Sequence, residues 1–154
     1  MTTKTEKRAD TVSHLLKGTF DSIENVVPIN HDIAKPVLFQ QALQLDFGVL
    51  IGITGDIKGK IVFSGNRDVF SAIGETMYGM ALEGEMLASF SGELGNMIAG
   101  GISKAGEEKG INMDITFPTI LEGETSLTGY EKAIQVPVFF ENAGGMTVYL
   151  LIDL

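Results

Sequence analysis

Asp46-Phe-Gly-Val-Leu-Ile-Gly-Ile-Thr54, Gly55-Asp-Ile-Lys-Gly59 and Lys60-Ile-Val-Phe-Ser64 make two β-branched apolar stretches joined by turn-forming residues, the pattern of a β-hairpin. A second segment has the same outline: Ala133-Ile-Gln-Val-Pro-Val-Phe-Phe140, a turn over Glu141-Asn-Ala-Gly-Gly145, then Met146-Thr-Val-Tyr-Leu-Leu-Ile152. No residue-level repeat relates the two. Neither hairpin is stable alone, so the expected fold is α/β of the α+β type, one antiparallel sheet holding both hairpins with helices packed on it. Pro137 lacks an N–H and is expected at an edge or a bulge.

Working outward, residues 1–9 read as a polar lead-in to a domain spanning 10–154. Val12, Leu15, Leu16, Phe20 and Ile23 then recur on one helical face. Pro28 and Pro36 disfavour helix around them, and Asp32 to Gln40 reads as a short edge strand. Ser64 or Asn66 can cap a second helix carrying Val69, Phe70, Ile73 and Met77, with Gly79 as its stop. From Glu83 to Glu108, Met86, Leu87, Phe90, Leu94, Met97, Ile98, Ile102 and Ala105 return to one side, and Gly110 closes this longest helix. Ile111 to Phe117 and Thr119 to Glu122 read as strands. The order is helix, hairpin, two helices, hairpin.

With 154 residues, 44% hydrophobic and 20% charged, the chain fits one domain with its own core. Nineteen Gly with only 4 Pro and no G-X-Y period exclude fibrous and low-complexity classes. A formal net charge of −9 repels phosphate backbones, so nucleic acid is not an expected partner. The absence of Cys removes disulfides, thiolate nucleophiles and Cys-ligated metals. The polar N-terminus has no signal-like apolar core, and the apolar runs are too short to span a bilayer. The expectation is a cytoplasmic protein without a membrane partner.

Chemistry concentrates on the long helix. At about 100° per residue, Met86, Phe90, Leu94, Ile98 and Ile102 are expected to face the core, while Ser89, Glu93, Asn96, Gly100 and Ser103 share the opposite face. Glu93 and Asn96 are three apart and therefore neighbours. Gly92, Gly100 and Gly101 border the stripe and would let another protein's backbone approach. Glu-x-x-Asn alone is a weak signal, and an exposed Glu is usually a solvated charge. Yet Asn disfavours helix interiors, and Gly92, Gly95, Gly100 and Gly101 each cost up to ~1 kcal/mol there, which calls for either a packing or a contact reason. Both remain open at this level. Elsewhere His14 and His31 stand apart from any carboxylate cluster of metal-binding spacing, and Gly55 to Gly59 lacks the Gly-Lys-Ser/Thr end of a P-loop.

Ser89-Phe-Ser-Gly-Glu93-Leu-Gly-Asn96-Met-Ile-Ala-Gly100 resembles the signature helix of the CheC/CheX/FliY phosphatases: Asp or Ser, three residues, Glu, two residues, Asn. Gly52-Ile-Thr-Gly-Asp-Ile-Lys-Gly59 and Ile115-Thr-Phe-Pro-Thr119 are also similar to CheX in content and order, so the resemblance runs over about residues 10 to 154. A single signature helix is CheX-like, whereas CheC typically has two. Here Glu24 is followed three residues later by Val27, and Glu75 by Tyr78. Gly95 departs from the family, where Ala is common, and would loosen the helix between the two key side chains.

The resemblance implies a phosphatase acting on the phosphoaspartate of a CheY-like response regulator in chemotaxis or a related two-component circuit. It implies that Asn96 positions the attacking water and that Glu93 pairs with a Lys of the partner, with Ser89, Gly92 and Gly100 as binding positions. It implies no cofactor or metal of the chain's own, Mg²⁺ being held by the partner receiver domain. It also implies a homodimer, for which Met146 to Ile152 would serve if it lay at a sheet edge. The alternative is a non-catalytic module of the same fold that binds receivers or dimerises without turnover.

Overall fold

The computed structural model describes residues 4–130 and 132–153. In chain order these form α1 (Lys4–Val26), β1 (His31–Ile33), β2 (Val37–Phe39), β3 (Leu43–Gly55), β4 (Lys58–Ser64), α2 (Arg67–Tyr78), α3 (Gly84–Glu108), β5 (Met113–Ile115), β6 (Thr119–Leu127), β7 (Lys132–Phe140) and β8 (Gly144–Asp153). Both hairpins are present: β3 pairs β4 from Gly48↔Ser64 to Ile53↔Gly59, and β7 pairs β8 from Lys132↔Ile152 to Phe140↔Gly144. They join through β4 and β8, with Ile61↔Leu150 and Phe63↔Val148 in register. All pairings are antiparallel. The sheet has eight strands in the order β1-β7-β8-β4-β3-β5, with β2 also on β7 and β6 also on β3.

Several expectations change. Helix α1 already runs from Lys4, so the part of the 1–9 lead-in that lies within the described residues is helical, and residues 1–3 fall outside them. The expected strand over 32–40 is two three-residue strands broken at Ala34 to Pro36, and the strand expected to end at Glu122 continues to Leu127. Pro137 lies in β7, an interior strand. Its carbonyl accepts from Ala34 N at 2.9 Å, so its nitrogen faces the gap between β1 and β2, where no ladder donor is missed. Strand β8 lies between β7 and β4, so the condition for assembly through Met146 to Ile152, a place at the sheet edge, is not met.

Alternation places Val49, Ile51, Phe63, Val136, Val138, Phe140, Val148 and Leu150 in the cluster under the helices. Val62, Leu151, Ala133, Leu43 and Leu45 form a second cluster, with Phe39 and Tyr149 packed against it. Tyr149 is held above its ordinary pKa, first by burial and then by the neighbouring Tyr130. Helix α2 is capped by Asn66, whose Oδ1 accepts from Val69 N at 2.9 Å, and ends at Gly79 in the left-handed conformation at φ 76°.

Helix α3 sits between the sheet and α1. Toward the sheet, a Cβ on Gly95 would come within 2.9 Å of Val49 Cγ1 and 3.2 Å of Phe63 Cδ2. Toward α1, a Cβ on Gly101 would overlap Ser22 Oγ and lie 2.9 Å from Ser22 Cβ, and Ser22 Oγ donates to Ile98 O at 2.7 Å. Gly100, one residue earlier, would meet nothing within 4 Å. The adjacent glycines should therefore respond with opposite sign. Gly101→Ala should lower stability by about 1–3 kcal/mol through overpacking, whereas Gly100→Ala should be neutral or add up to ~1 kcal/mol of helix propensity. Melting curves of the two variants check this.

Candidate functional site

Burial along α3 defines the site without reference to any motif. From Leu87 to Ala99 only Ser89, Glu93 and Asn96 are exposed, while Leu87, Phe90, Ser91, Gly92, Leu94, Gly95, Ile98 and Ala99 are buried. The helix is pressed so closely by sheet and neighbours that one narrow ridge remains in water. Spacings of four and three residues keep those side chains on that ridge. The one ion pair among the described residues, Arg67 with Glu122 at 3.8 Å, does not involve Glu93.

The flanks of the ridge differ from the sequence expectation. Met86, expected inside, is 58% exposed. It precedes Ser89 by three residues and lies on the same side as the ridge, because α3 is rotated so that Leu87 and Phe90 take the core contacts. Gly92 does not lie open beside the ridge. It is buried, and a Cβ there would stand 3.2 Å from Ile120 Cδ1 and 3.3 Å from Pro118 Cγ. Gly95 is a close-approach residue rather than a loosened link. Ser103 is half-buried and donates to Met113 O at 2.7 Å, which takes it out of the polar stripe. Gly100 alone of the four glycines has no neighbour to accommodate, and it sits one turn beyond Asn96.

The segment joining β5 to β6 forms the wall beside Gly92. Thr116 N donates to Gly52 O at 3.0 Å, and Gly52 N donates to Thr116 Oγ1 at 2.8 Å, a two-bond clamp on β3. Pro118 packs at Gly92, and Phe117 between them is 92% exposed. The sequence signal for this feature was the Ile115-Thr-Phe-Pro-Thr119 stretch, which by itself assigned no role to Phe117.

Among the described residues no three of His, Cys, Asp and Glu converge to hold a metal ion, and no helix is long and apolar enough to cross a membrane. A carboxylate and a neutral amide on an open ridge can pair with a cation and orient a water. Neither side chain carries the positive charge that a phosphoryl group requires.

The chain is thus an antiparallel sheet that carries one long helix with Ser89, Glu93 and Asn96 exposed along it. The family described as Chemotaxis phosphatase CheX matches residues 47–141, and the chain belongs to that family of phosphatases. Its sequence is 28% identical over 132 residues to the CheY-P phosphatase CheX of Thermotoga maritima, covering 82% of this chain and 85% of that one. In fold it is similar to CheX of Desulfovibrio desulfuricans, with a TM-score of 0.79, 19% identity and coverage of 94% and 99%. It is similar in the same way to the chain solved in the CheX–CheY–BeF3–Mg²⁺ complex of Borrelia burgdorferi, with a TM-score of 0.78, 22% identity and coverage of 94% and 98%.

Exposure makes Glu93 and Asn96 dispensable for folding. Glu93→Ala and Asn96→Ala should each melt at or slightly above the parent temperature, since Ala is the better helix former and no core contact is lost. Thermal denaturation followed by circular dichroism is the check.

Proposed function

We propose that this chain hydrolyses the phosphoaspartate of a CheY-like receiver domain, with Asn96 positioning the attacking water and Glu93 pairing with a Lys of the receiver. The observation that carries this reading is that the three exposed positions of the buried half of α3 coincide with the three positions of the family motif. The names of the relatives support the substrate class: one is a CheY-P phosphatase, and another was solved with CheY, BeF3 and Mg²⁺.

An acyl phosphate is already activated, so its hydrolysis requires mainly a water in line with phosphorus and neutralisation of the equatorial oxygens. The receiver's own Mg²⁺ and Lys supply that neutralisation. Asn96 suits the water because a neutral amide can accept from it and donate toward oxygen, whereas a carboxylate would repel the phosphoryl group. Glu93, one turn away on the same ridge, holds the receiver's Lys in register. Ser89 and Gly100 lie along the contact, Gly100 admitting close approach. Gly92 contributes indirectly by letting Pro118 pack beside the ridge. Residues 10–154 act as one phosphatase domain, consistent with solved relatives that cover 94% of the chain. The site of action is the cytoplasm, where receivers are phosphorylated.

The functional unit in this proposal is a homodimer. With β8 enclosed, the surface for pairing is the β1/β2 side of the sheet, where Val37, Leu38 and Phe139 are exposed large apolar residues. Sedimentation at micromolar concentration should give about twice 16.5 kDa. A species of single-chain mass alone would remove the dimer from the proposal.

The central test compares the two residues against one phosphorylated receiver from the same genome with Mg²⁺ present. Asn96→Ala should retain binding while turnover falls about 10²-fold or more, the size of losing one preorganised polar group in a transition state. Glu93→Ala should weaken binding about 10-fold and slow hydrolysis as well, because the lost pair serves docking and alignment together. Full turnover by Asn96→Ala would end the catalytic assignment of Asn96, whereas a parent chain that accelerates hydrolysis of no receiver would favour the non-catalytic binding module instead.

A further inference from the structure

Among the described residues, the exposed large apolar side chains outside the β1/β2 side are Tyr78, Met80, Met86 and Phe117, and three of these frame the ridge of α3. On a helical wheel of about 100° per residue, Ser89, Glu93 and Asn96 occupy roughly 280° to 340° counted from Met86. Gly92, against which Pro118 packs, falls at about 240°, and Phe90 at about 40°. Tyr78 stacks edge-on to Phe90 with ring centroids 5.6 Å apart, so it borders the ridge on the side opposite Phe117. Met86 stands at the ridge's N-terminal end. Exposed apolar side chains thus flank the polar ridge on both sides and at its N-terminal end.

Phe117 is the extreme case. A phenyl ring that is 92% exposed gains nothing for the isolated fold, yet it is held at the tip of a short segment fixed by the Thr116–Gly52 clamp and by Pro118 against Gly92. Its backbone is already held, so binding has only two side-chain torsions left to order, and aromatic residues anchor interfaces while excluding water from polar groups beside them.

We propose that Phe117 is a recognition residue for the phosphorylated receiver, seated on an apolar patch beside the receiver's phosphoaspartate pocket and sealing the Glu93 and Asn96 contacts from bulk water. This rests on the phosphatase reading of the ridge and extends it to specificity. The occupant is the receiver rather than a second copy of the chain because Phe117 is continuous with the ridge through Pro118 and Gly92, while Val37, Leu38 and Phe139 form a separate group. Phe117 acts in capture, and the reacting atoms are left to Asn96.

The test uses Phe117→Ala and Phe117→Tyr beside the parent chain and Asn96→Ala. Each is measured for phosphate release from one phosphorylated receiver, for affinity toward that receiver loaded with BeF3 and Mg²⁺, for melting temperature and for sedimentation. Phe117→Ala should raise KM and weaken affinity about 10-fold, the effect of truncating an anchoring aromatic, with a much smaller change in kcat and an unmoved melting temperature. Phe117→Tyr should recover most of the affinity. Parent-like KM and affinity in Phe117→Ala, while Asn96→Ala is inactive, would overturn the role of Phe117 and leave the phosphatase reading standing. Dissociation of a dimer by Phe117→Ala would assign the ring to a second copy and overturn it as well. A parent chain that releases no phosphate would instead overturn the reading beneath it.

Discussion

The seating of α3 is the constraint on which the remaining structure depends. Among its glycines, Gly95 faces Val49 of the sheet and Gly101 faces Ser22 of α1 at distances where a Cβ would force a neighbour to shift. Together they fix both the depth of the helix and its rotation about its own axis. A turn of about 100° in one direction would drive Asn96 against the sheet and bring Leu94 into water, and in the other it would drive Glu93 into the core. Burial of α3 on two sides is therefore the reason a narrow polar ridge survives, and the ridge is as rigid as the packing beneath it.

That packing divides glycines which look alike in sequence. Gly92 admits Ile120 and Pro118, Gly95 admits the sheet, Gly101 admits α1, and Gly100 admits nothing within the chain. Their cost in helix propensity is offset by close approach for three of them. The fourth lies one turn beyond Asn96, where a Cβ would meet open space.

The antiparallel fold, both hairpins, the long helix and the outward direction of Glu93 and Asn96 were legible from patterning, because period-2 and 3.6-residue repeats directly encode which face is apolar. Element ends were less so. Lys4 joins α1 although residues 1–9 carry little apolar signal, since a polar helical extension is marked by no periodicity. Met86 was placed inside by its hydrophobicity, but Leu87 and Phe90 already fill the core at that end. Phe117 carried no signal of exposure, because an isolated phenylalanine between strands looks like any core residue.

Residue order alone determined local conformation and the spacing of the Ser89, Glu93 and Asn96 triplet, both properties of near neighbours in the chain. Strand order was decided only in three dimensions. Met146 to Ile152 has the apolar continuity of a strand that could lie at an edge or inside, and it is the pairing of β8 with β4 that encloses it. Likewise Pro137 is admissible in β7 because the break between β1 and β2 falls opposite it. Local sequence specifies dihedrals and faces through short-range sterics and hydrophobic period, whereas partners far apart in the chain are chosen by which arrangement buries both hairpins at once.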